Sequence, residues 1–279
     1  MSKKKVLIVT QEMSPFTDPS ELADFTRTLP QFVQEKGMEL RVLMPKFGTI
    51  NERRHRLHEV VRLSGMNIIV DDDDYPLIIK VASMPEARIQ VYFLDNDDFF
   101  RRKHVFQDEE GQAYEDNVDR MVFFCKGVLE TVRKFGWAPD IVLCHGWMTS
   151  LIPAYLKTAY KTEPLFQHAK VVYSLYNDEL EEKMPENFFN KAAINNLNAQ
   201  DLDAYQNGAG ITLHKGAVAF ADGVAIGSPT LSDSAQTTLA NTDKPILEFS
   251  EHAALPGIVE FYNSLMAEHE KLRGASMKW

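Results

Sequence analysis

The residues best suited to chemistry form the triplet His145-Gly146-Trp147, which offers an imidazole and an indole. The triplet directly follows Asp140–Cys144, a short apolar run with the length of a buried strand. Met148–Lys157 then resumes with apolar residues at helical spacing. Ligands of open parallel α/β sheets bind outside the carboxyl ends of the strands, so the triplet marks a candidate crevice. The alternative is a packed tryptophan and a histidine that hydrogen-bonds locally, because one histidine is not a site.

The elements that would position this triplet alternate along the chain. Apolar runs predict strands at Val6–Thr10, Leu40–Met44, Asp140–Cys144, Val171–Leu175 and Val224–Gly227, with four shorter runs (VVRL, NIIV, PLIIKVASM and IQVYFLD) between Val60 and Asp95. Helical patterns cover about Pro19–Lys36, Asn117–Lys134, Met148–Lys157, Gly210–Ala221 and Ala254–Leu272, and a further helix carries Phe188, Ile194 and Leu197. This alternation predicts an α/β fold with a doubly wound, mainly parallel, Rossmann-like sheet.

Three polar segments have simple structural interpretations. Asp71–Asp74 predicts a solvated hairpin tip, because it lacks the spaced ligands and the glycine of a calcium loop. Asp178–Lys183 is acidic and is expected to be exposed. Ser232–Asp243 is polar and is expected to be turn-like.

Composition excludes several classes of protein. The 279 residues are 44% hydrophobic and carry a net charge of −10, which argues against nucleic acid and anionic membranes as partners. The two cysteines, Cys125 and Cys144, lie in apolar runs, which predicts buried reduced thiols rather than a disulfide or a zinc site. No apolar stretch approaches the roughly 18 residues of a membrane span, and the amino terminus leads directly into a strand. We therefore expect a cytoplasmic protein.

General motifs do not assign a reaction. The sequence lacks GxxxxGK[ST], GxSxG and HExxH, and Gly208-Ala209-Gly210 neither follows a strand nor supplies the third glycine of a dinucleotide fingerprint. The acidic residues are too numerous for an acid–base pair to be located. No metal site and no cofactor are predicted, and the catalytic residues stay unknown.

Several patterns resemble bacterial glycogen/starch synthases in the same order along the chain. Those enzymes open with a strand, Ser-Glu-x-x-Pro-Phe and Lys-Thr-Gly-Gly-Leu-Ala-Asp, which resembles KVLIVTQEMSPF and LADF here. Further similar segments are VYFLDNDDFFRR (Val91–Arg102), EDNVDR (Glu115–Arg120), PDIVLCHGWMTSLIPAYLK (Pro139–Lys157), VVYSLYN (Val171–Asn177) and HKGAVAFADGVAIGSPTLS (His214–Ser232). The resemblance covers about residues 5–232, and residues 233–279 read as a closing helical segment of one domain, 1–279.

The resemblance implies the amino-terminal half of a glucosyltransferase with two Rossmann-like domains. Such enzymes transfer glucose from ADP-glucose to the end of an α-1,4-glucan. In that family the amino-terminal half shapes the acceptor side, and the carboxyl-terminal half binds most of the nucleotide sugar. We expect a partner chain to carry that second half, if the chain takes part in transfer at all. An α-glucan or a sugar nucleotide is the expected ligand.

The sequence departs from the family pattern at three strand ends. Asp18-Pro19-Ser20-Glu21 replaces Lys-Thr-Gly-Gly, and predicts a helix start with Asp18 as N-cap and Glu21 at N3, whose carboxylates would repel a diphosphate. Gly146 replaces the aspartate of His-Asp-Trp, and Tyr176 replaces the histidine of Ile-His-Asn.

Retained or altered family positions provide the candidate substrate-binding residues, namely Asp24, Asn117, Arg120, His145, Trp147, Tyr176 and Asn177. Asp24 is alternatively a cap or a brace, and Arg120 could pair with a carboxylate in the crevice. Trp147 and Tyr176 could stack on sugar faces or belong to the core.

Three functions remain open from the sequence. The first is an active glucosyltransferase completed by another polypeptide. The second is a non-catalytic relative that binds a glucan, a metabolite or a partner. The third is an unrelated small-molecule enzyme on the same fold. For this chain alone the departures favour the second.

Overall fold

A computed structural model describes residues 3–85, 87–178, 180, 188–194, 197–207, 210–250 and 255–276. Its strands are β1 (Lys5–Thr10), β2 (Glu39–Pro45), β3 (His58–Glu59), β4 (Met66–Val70), β5 (Asp73–Ser83), β6 (Gln90–Asp95), β7 (Ile141–His145), β8 (Lys170–Leu175), β9 (Gln206–Asn207), β10 (Gly210–Ile211), β11 (Gly223–Ile226) and β12 (Ile246–Leu247). Its helices are α1 (Glu21–Glu35), α2 (Glu52–His55), α3 (Asp97–Phe100), α4 (Asn117–Phe135), α5 (Leu151–Lys157), α6 (Phe188–Ala192), α7 (Leu213–Phe220), α8 (Asp233–Ala240) and α9 (Pro256–Ser276).

One mixed sheet organises the fold. Its strand order is β12-β11-β8-β7-β1-β2-β6-β5-β3, and β4 pairs with β5. All pairs from β12 to β6 are parallel, whereas β5 runs antiparallel to β6, β3 and β4. The predicted mainly parallel, Rossmann-like α/β sheet is confirmed.

The central strands form where the sequence is apolar on both faces. Residues Val6–Thr10 of β1 and all five residues of β7 are buried, because helices flank a parallel sheet on both sides. The register pairs Thr10 of β1 with His145 of β7, and His145 with Ser174 of β8. The carboxyl ends of these strands therefore lie side by side, as the crevice requires.

Helix α4 is buried over most of its surface. Its buried residues include Arg120 and Lys126 as well as Met121, Phe124 and Val128. The Nζ of Lys126 donates to the backbone oxygens of Ile69, Lys191 and Ala193 at 2.6–3.0 Å. Two charged side chains of this helix, those of Arg120 and Lys126, thus lie inside the protein, which the sequence does not predict.

Four local predictions are wrong. The helix expected to carry Phe188, Ile194 and Leu197 ends at Ala192, so Ile194 and Leu197 lie beyond it. Ser232–Asp243 is not turn-like, because Asp233–Ala240 is a helix whose N-cap, Ser232, accepts from the Ala235 amide. The apolar run at residues 60–63 is a turn rather than a strand, and β3 lies just before it. Residues 210–211 form a short strand, so α7 begins only at Leu213.

The acidic hairpin tip is confirmed. Strands β4 and β5 pair antiparallel with Val70 opposite Asp73, which leaves Asp71 and Asp72 as the turn. Asp71 has a φ of +57°, a left-handed conformation that Asp tolerates in turns. Both cysteines are buried free thiols, as predicted, and within the described helices none is long and apolar enough to cross a membrane.

Asp222, which follows α7, is hydrogen-bonded to α5 and to β8. Its carboxylate accepts from Lys157 Nζ at 2.6 Å, from Lys170 Nζ at 3.2 Å and from the Val171 amide at 2.8 Å. Burial acts to raise the pKa of Asp222, but these cationic and N–H groups outweigh it and the pKa lies below its usual value.

We expect Asp222→Asn to lower the free energy of unfolding at neutral pH by about 1–3 kcal/mol, since a charged acceptor is lost. A carboxyl with a depressed native pKa stabilises the fold above its unfolded pKa and loses that effect as the pH falls through the native pKa. The difference between variant and wild type should therefore shrink below about pH 4. Urea denaturation at both pH values measures this, with the exposed Asp243→Asn as control. An equal loss at both pH values would contradict the electrostatic explanation.

Candidate functional site

The carboxyl ends of β1, β8 and β11, three strands of the parallel part of the sheet, border a crevice of about 360 Å³. Its lining consists mainly of amides, hydroxyls and carboxylates, from Gln11, Glu12, Ser20, Glu21, Leu22, Tyr176, Asn177, Asp178, Ser228 and Thr230. Of the seven candidates from the sequence, Tyr176 and Asn177 belong to this lining. The predicted location of the crevice at the strand ends agrees with the structure, but most of its residues are different.

The backbone after β7 makes close contact with the residue after β1. Gly146 has a φ of +87° and a ψ of 161°, a conformation essentially confined to glycine. A Cβ there would lie 2.4 Å from Cδ and Oε1 of Gln11, whose side chain is buried. Gln11 is held in place because its amide oxygen accepts from the Met148 N–H at 3.1 Å. The glycine is therefore required by this packing, and a side chain at this position needs space that Gln11 fills.

Asp178 joins three strand ends. Its Oδ2 accepts from Gln11 Nε2 at 3.0 Å and from the Trp147 amide at 3.2 Å. The side chain is 20% exposed, so the expectation of an exposed acidic segment is wrong for Asp178, because these donors draw it inward. The rest of that segment, apart from Leu180, lies outside the described residues.

The pKa of Asp178 is raised to about 7, chiefly by burial and further by the neighbouring Glu12 carboxylate, against the lowering effect of the Trp147 N–H and Gln11. His214 does not supply a compensating charge. Its Nε2 lies 3.6 Å from Asp178 Oδ1, but burial lowers the pKa of His214 to about 4, so the imidazole is neutral at pH 7. Asp178 is thus a carboxyl group that titrates near neutral pH at the edge of the crevice.

His145 and Tyr176 lie together beneath the crevice. The Tyr176 hydroxyl is 3.1 Å from Nδ1 of His145, and Phe25 packs at 5.7 Å from the imidazole. His145 is completely buried and Tyr176 is 2% exposed. Tyr176 also covers Gly227, where a Cβ would lie 2.6 Å from the phenol ring. Asn177, by contrast, is exposed, and its backbone N–H donates to Ser228 Oγ at 3.3 Å.

Trp147 is 3% exposed and packs 5.1 Å from the ring of Phe106. Its backbone N–H faces Asp178, whereas its indole points to the aromatic cluster around α4. Trp147 is not part of the crevice lining, and Tyr176, which is, exposes only 2% of its surface. Stacking of these two rings on sugars is therefore disfavoured by their burial, and the alternative of core aromatics describes them better.

Asn117 and Arg120 lie in that aromatic cluster and not in the crevice lining. Arg120 Nε donates to the Phe99 oxygen at 2.8 Å and its Nη1 to Asn117 Oδ1 at 2.7 Å. Four rings surround the guanidinium at 5.4–6.0 Å, those of Tyr114, Phe100, Phe47 and Phe106. Burial lowers the pKa of Arg120 to about 10, so it stays charged at pH 7. Within the described residues no carboxylate pairs with it, and the expected ion pair in the crevice is not formed.

The amino terminus of α1 is capped by the side chain of Ser20. Ser20, and not the predicted Asp18, is the N-cap, and its Oγ accepts from the Ala23 amide at 3.0 Å. Asp18 fails as a cap because the helix begins at Glu21, which also places Glu21 at N1 rather than N3. The Ser20 hydroxyl donates to Glu12 Oε2 at 2.5 Å. Asp24 braces the preceding loop by accepting from Ser14 Oγ at 2.7 Å.

Sequence reasoning missed Gln11, Glu12 and Ser228 as crevice residues. Each follows the carboxyl end of a parallel strand closely, so the rule that located His145 could also have found them. Within the described part of the chain, no group of three His, Cys, Asp or Glu side chains is arranged to hold a metal ion.

Comparison with known proteins places this geometry in a family. The model of the starch synthase catalytic domain family matches residues 5–243. The chain belongs to this family. The glycogen synthase of Pelodictyon phaeoclathratiforme is 43% identical to it over 188 residues, and that of Chlorobium limicola is 42% identical over the same length. Each alignment covers 67% of this chain and 38% of the relative, so the chain spans about two fifths of the length of these relatives.

The fold agrees with a solved member of the family. The catalytic domain of starch synthase IV from Arabidopsis thaliana, bound to ADP and acarbose, matches with a TM-score of 0.73 at 20% sequence identity. The match covers 88% of this chain and 51% of that one. The predicted resemblance to glycogen/starch synthases is thus confirmed, and the roles of the individual site residues stay predictions.

The raised pKa of Asp178 gives a first test of the crevice. Because the folded protein binds this proton more tightly, Asp178 lowers stability as the pH rises from about 4 to about 7. We expect Asp178→Asn to increase the free energy of unfolding at about pH 8 by up to about 4 kcal/mol and to have little effect near pH 4. Thermal unfolding across this range measures it. The control is Glu21→Gln, which removes an exposed carboxylate of the same crevice. An unchanged pH profile in Asp178→Asn would refute the raised pKa of Asp178.

Proposed function

We propose that this chain is the acceptor-side domain of a starch-synthase-family glucosyltransferase, binds α-glucan in the crevice, and does not by itself bind ADP-glucose or transfer glucose. Family membership supports the link to glucan synthesis. Transfer would require the region that makes up the remaining length of the relatives, in this polypeptide or in a partner chain. A cytoplasmic location belongs to the same proposal and is supported by the two buried, unpaired cysteines.

The observation that carries this proposal is the side-chain cap at the amino terminus of α1. A helix start attracts a diphosphate through its unpaired N–H groups and its partial positive charge. Here Ser20 accepts one of these N–H bonds, and Glu12 accepts the hydroxyl of Ser20. Glu12, Glu21 and Asp178 all line the same crevice. Two like charges about 4 Å apart repel by about 1 kcal/mol in water and by more when partly buried. An incoming diphosphate would lose hydrogen bonds and meet this repulsion.

The crevice is better suited to a neutral sugar. Gln11, Ser20, Asn177, Ser228 and Thr230 contribute amides and hydroxyls to its lining. Such groups hydrogen-bond sugar hydroxyls without requiring a charged ligand. Asn177 is the exposed member among the sequence candidates in the lining, and its backbone is held by Ser228. We therefore assign the glucan contact to Asn177 and its hydroxyl neighbours rather than to the buried rings of Trp147 and Tyr176.

The nucleotide half of the proposal is tested by calorimetry with ADP and ADP-glucose, and by incorporation of labelled glucose into glycogen. We expect no saturable binding by the wild-type chain and no incorporation above a reaction without protein. The combined change Asp18→Lys, Pro19→Thr, Ser20→Gly and Glu21→Gly should raise ADP affinity and lower the stability of α1, because it removes the cap and two carboxylates.

The control for charge alone is Glu35→Lys, at the opposite end of α1, combined with the exposed Asp243→Asn, which together make the same change of three charges. It should leave ADP binding unchanged. Micromolar binding of ADP to the wild-type chain, or labelled glycogen formed by it, would refute the proposed loss of nucleotide binding.

The glucan half is tested with maltooligosaccharides on an amylose column and by NMR titration of the side-chain amide of Asn177. We expect retention by the wild-type chain and a loss of affinity of about tenfold in Asn177→Ala, since one or two hydrogen bonds are removed. The exposed Asn67→Ala, on β4, should bind as the wild type does. If neither retention nor a shift of the Asn177 signal occurs, the crevice does not bind glucan.

A further inference from the structure

A second cleft lies at the opposite end of the strands from the crevice. Its lining includes Arg41 near the start of β2 and Gln90 at the start of β6, together with Arg88 in the loop before β6. The volume of this cleft is about 520 Å³. The cleft lies at the amino ends of the parallel strands, whereas the crevice lies at their carboxyl ends. The two are therefore different sites.

Arg41 is a half-buried cation in this cleft that has aromatic neighbours but no ion-pair partner among the residues that the structure describes. Its guanidinium carbon lies 4.1 Å from the ring centre of Phe135 and 5.2 Å from that of Trp137. Among the described residues no carboxylate forms an ion pair with it. Burial lowers the pKa of Arg41 below its usual value, although Tyr92 and Glu39 act to raise it, so its neighbours compensate the charge only in part.

Glu39 acts to raise the pKa of Arg41, but among the described residues it forms no ion pair with the guanidinium. Glu39 lines the same cleft, but its Oε1 accepts from Trp137 Nε1 at 2.6 Å. The indole N–H thereby fixes the carboxylate on the aromatic side. Contacts with two rings hold the guanidinium while its N–H groups stay available at its edge, the geometry with which arginine recognises oxyanions.

The remaining lining adds a second cation and several hydrogen-bonding groups. Arg88 is exposed and has no ion pair in the part of the chain that the structure describes. Gln34, Ser83, Gln90 and Tyr92 add amides and hydroxyls, and the Tyr92 hydroxyl donates to Gln90 Oε1 at 3.0 Å. The chain has a net charge of −10, whereas the lining of this cleft holds two arginines and one carboxylate.

We propose that this cleft is a binding site for a small phosphate-bearing molecule, with Arg41 contacting the phosphate oxygens through its N–H edge and Arg88 as the second cation. The phosphate compensates the half-buried guanidinium, and the amides and hydroxyls contact the rest of the molecule. Because the cleft and the crevice occupy opposite ends of the strands, occupancy here leaves the glucan site open.

The test is calorimetric titration of the chain with inorganic phosphate and with pyrophosphate at constant ionic strength, with tryptophan fluorescence as a second signal because Trp137 contacts Arg41. We expect saturable binding by the wild type. Arg41→Gln should weaken it by about tenfold or more, and Arg88→Gln should weaken it by a smaller factor, since hydrogen bonds to a charged group are lost. Arg41→Lys should retain part of the affinity, because it keeps the charge but not the planar fork.

The matched control is Arg27→Gln, an exposed arginine on α1 that makes the same change in net charge. It should bind phosphate as the wild type does. Saturable binding of acetate with equal affinity would refute phosphate recognition. Binding that is absent up to tens of millimolar, or equal in wild type, Arg41→Gln and Arg88→Gln, would refute the site. If Arg41→Gln does not fold, the exposed Arg88→Gln decides the outcome. The glucan titration uses another site, so failure here leaves the proposed function standing.

Discussion

The arrangement of the crevice depends on the hydrogen bonds of one carboxylate. Asp178, after β8, accepts from the side chain of Gln11, after β1, and from the backbone of Trp147, after β7. Gln11 in turn accepts from the Met148 amide. Three loops that are distant in sequence are thus fixed to one another by side chains of two residues. The parallel sheet brings these loops to the same edge, and these bonds determine which groups point into the space between them.

The same carboxylate adds to the acidic character of the crevice. Glu12 and Glu21 border the space that Asp178 faces, and no lysine or arginine belongs to the lining among the described residues. The replaced segment Asp18–Glu21, the glycine at position 146 and the tyrosine at position 176 all alter this one region. The crevice itself is lined mainly with amides, hydroxyls and carboxylates. The departures from the family pattern are thus concentrated at one end of the parallel strands, on a fold that agrees with that of the family.

The sequence predicted the central sheet well because its strands are continuous apolar runs, and such runs fit few other environments. It predicted less where structure depends on contacts between distant residues. Helix α8 has a polar surface and was not recognised, although Ser232 is a typical N-cap residue. The inward position of Asp178 arises from Gln11, which is 167 residues away in sequence. The sequence makes Arg120 a candidate substrate-binding residue, but its guanidinium is surrounded by Phe47, which is distant in sequence, and by three rings from residues 100–114.

The contact between Gly146 and Gln11 constrains how this branch of the family can vary. A side chain at position 146 meets the glutamine directly, and the positive φ penalises it further. A reversion to the family's aspartate would therefore be tolerated only together with a shorter residue at position 11 and a change in the backbone between β7 and α5. The space available to a side chain at position 146 is thus set by the length of the residue at position 11, so we expect the two positions to change together.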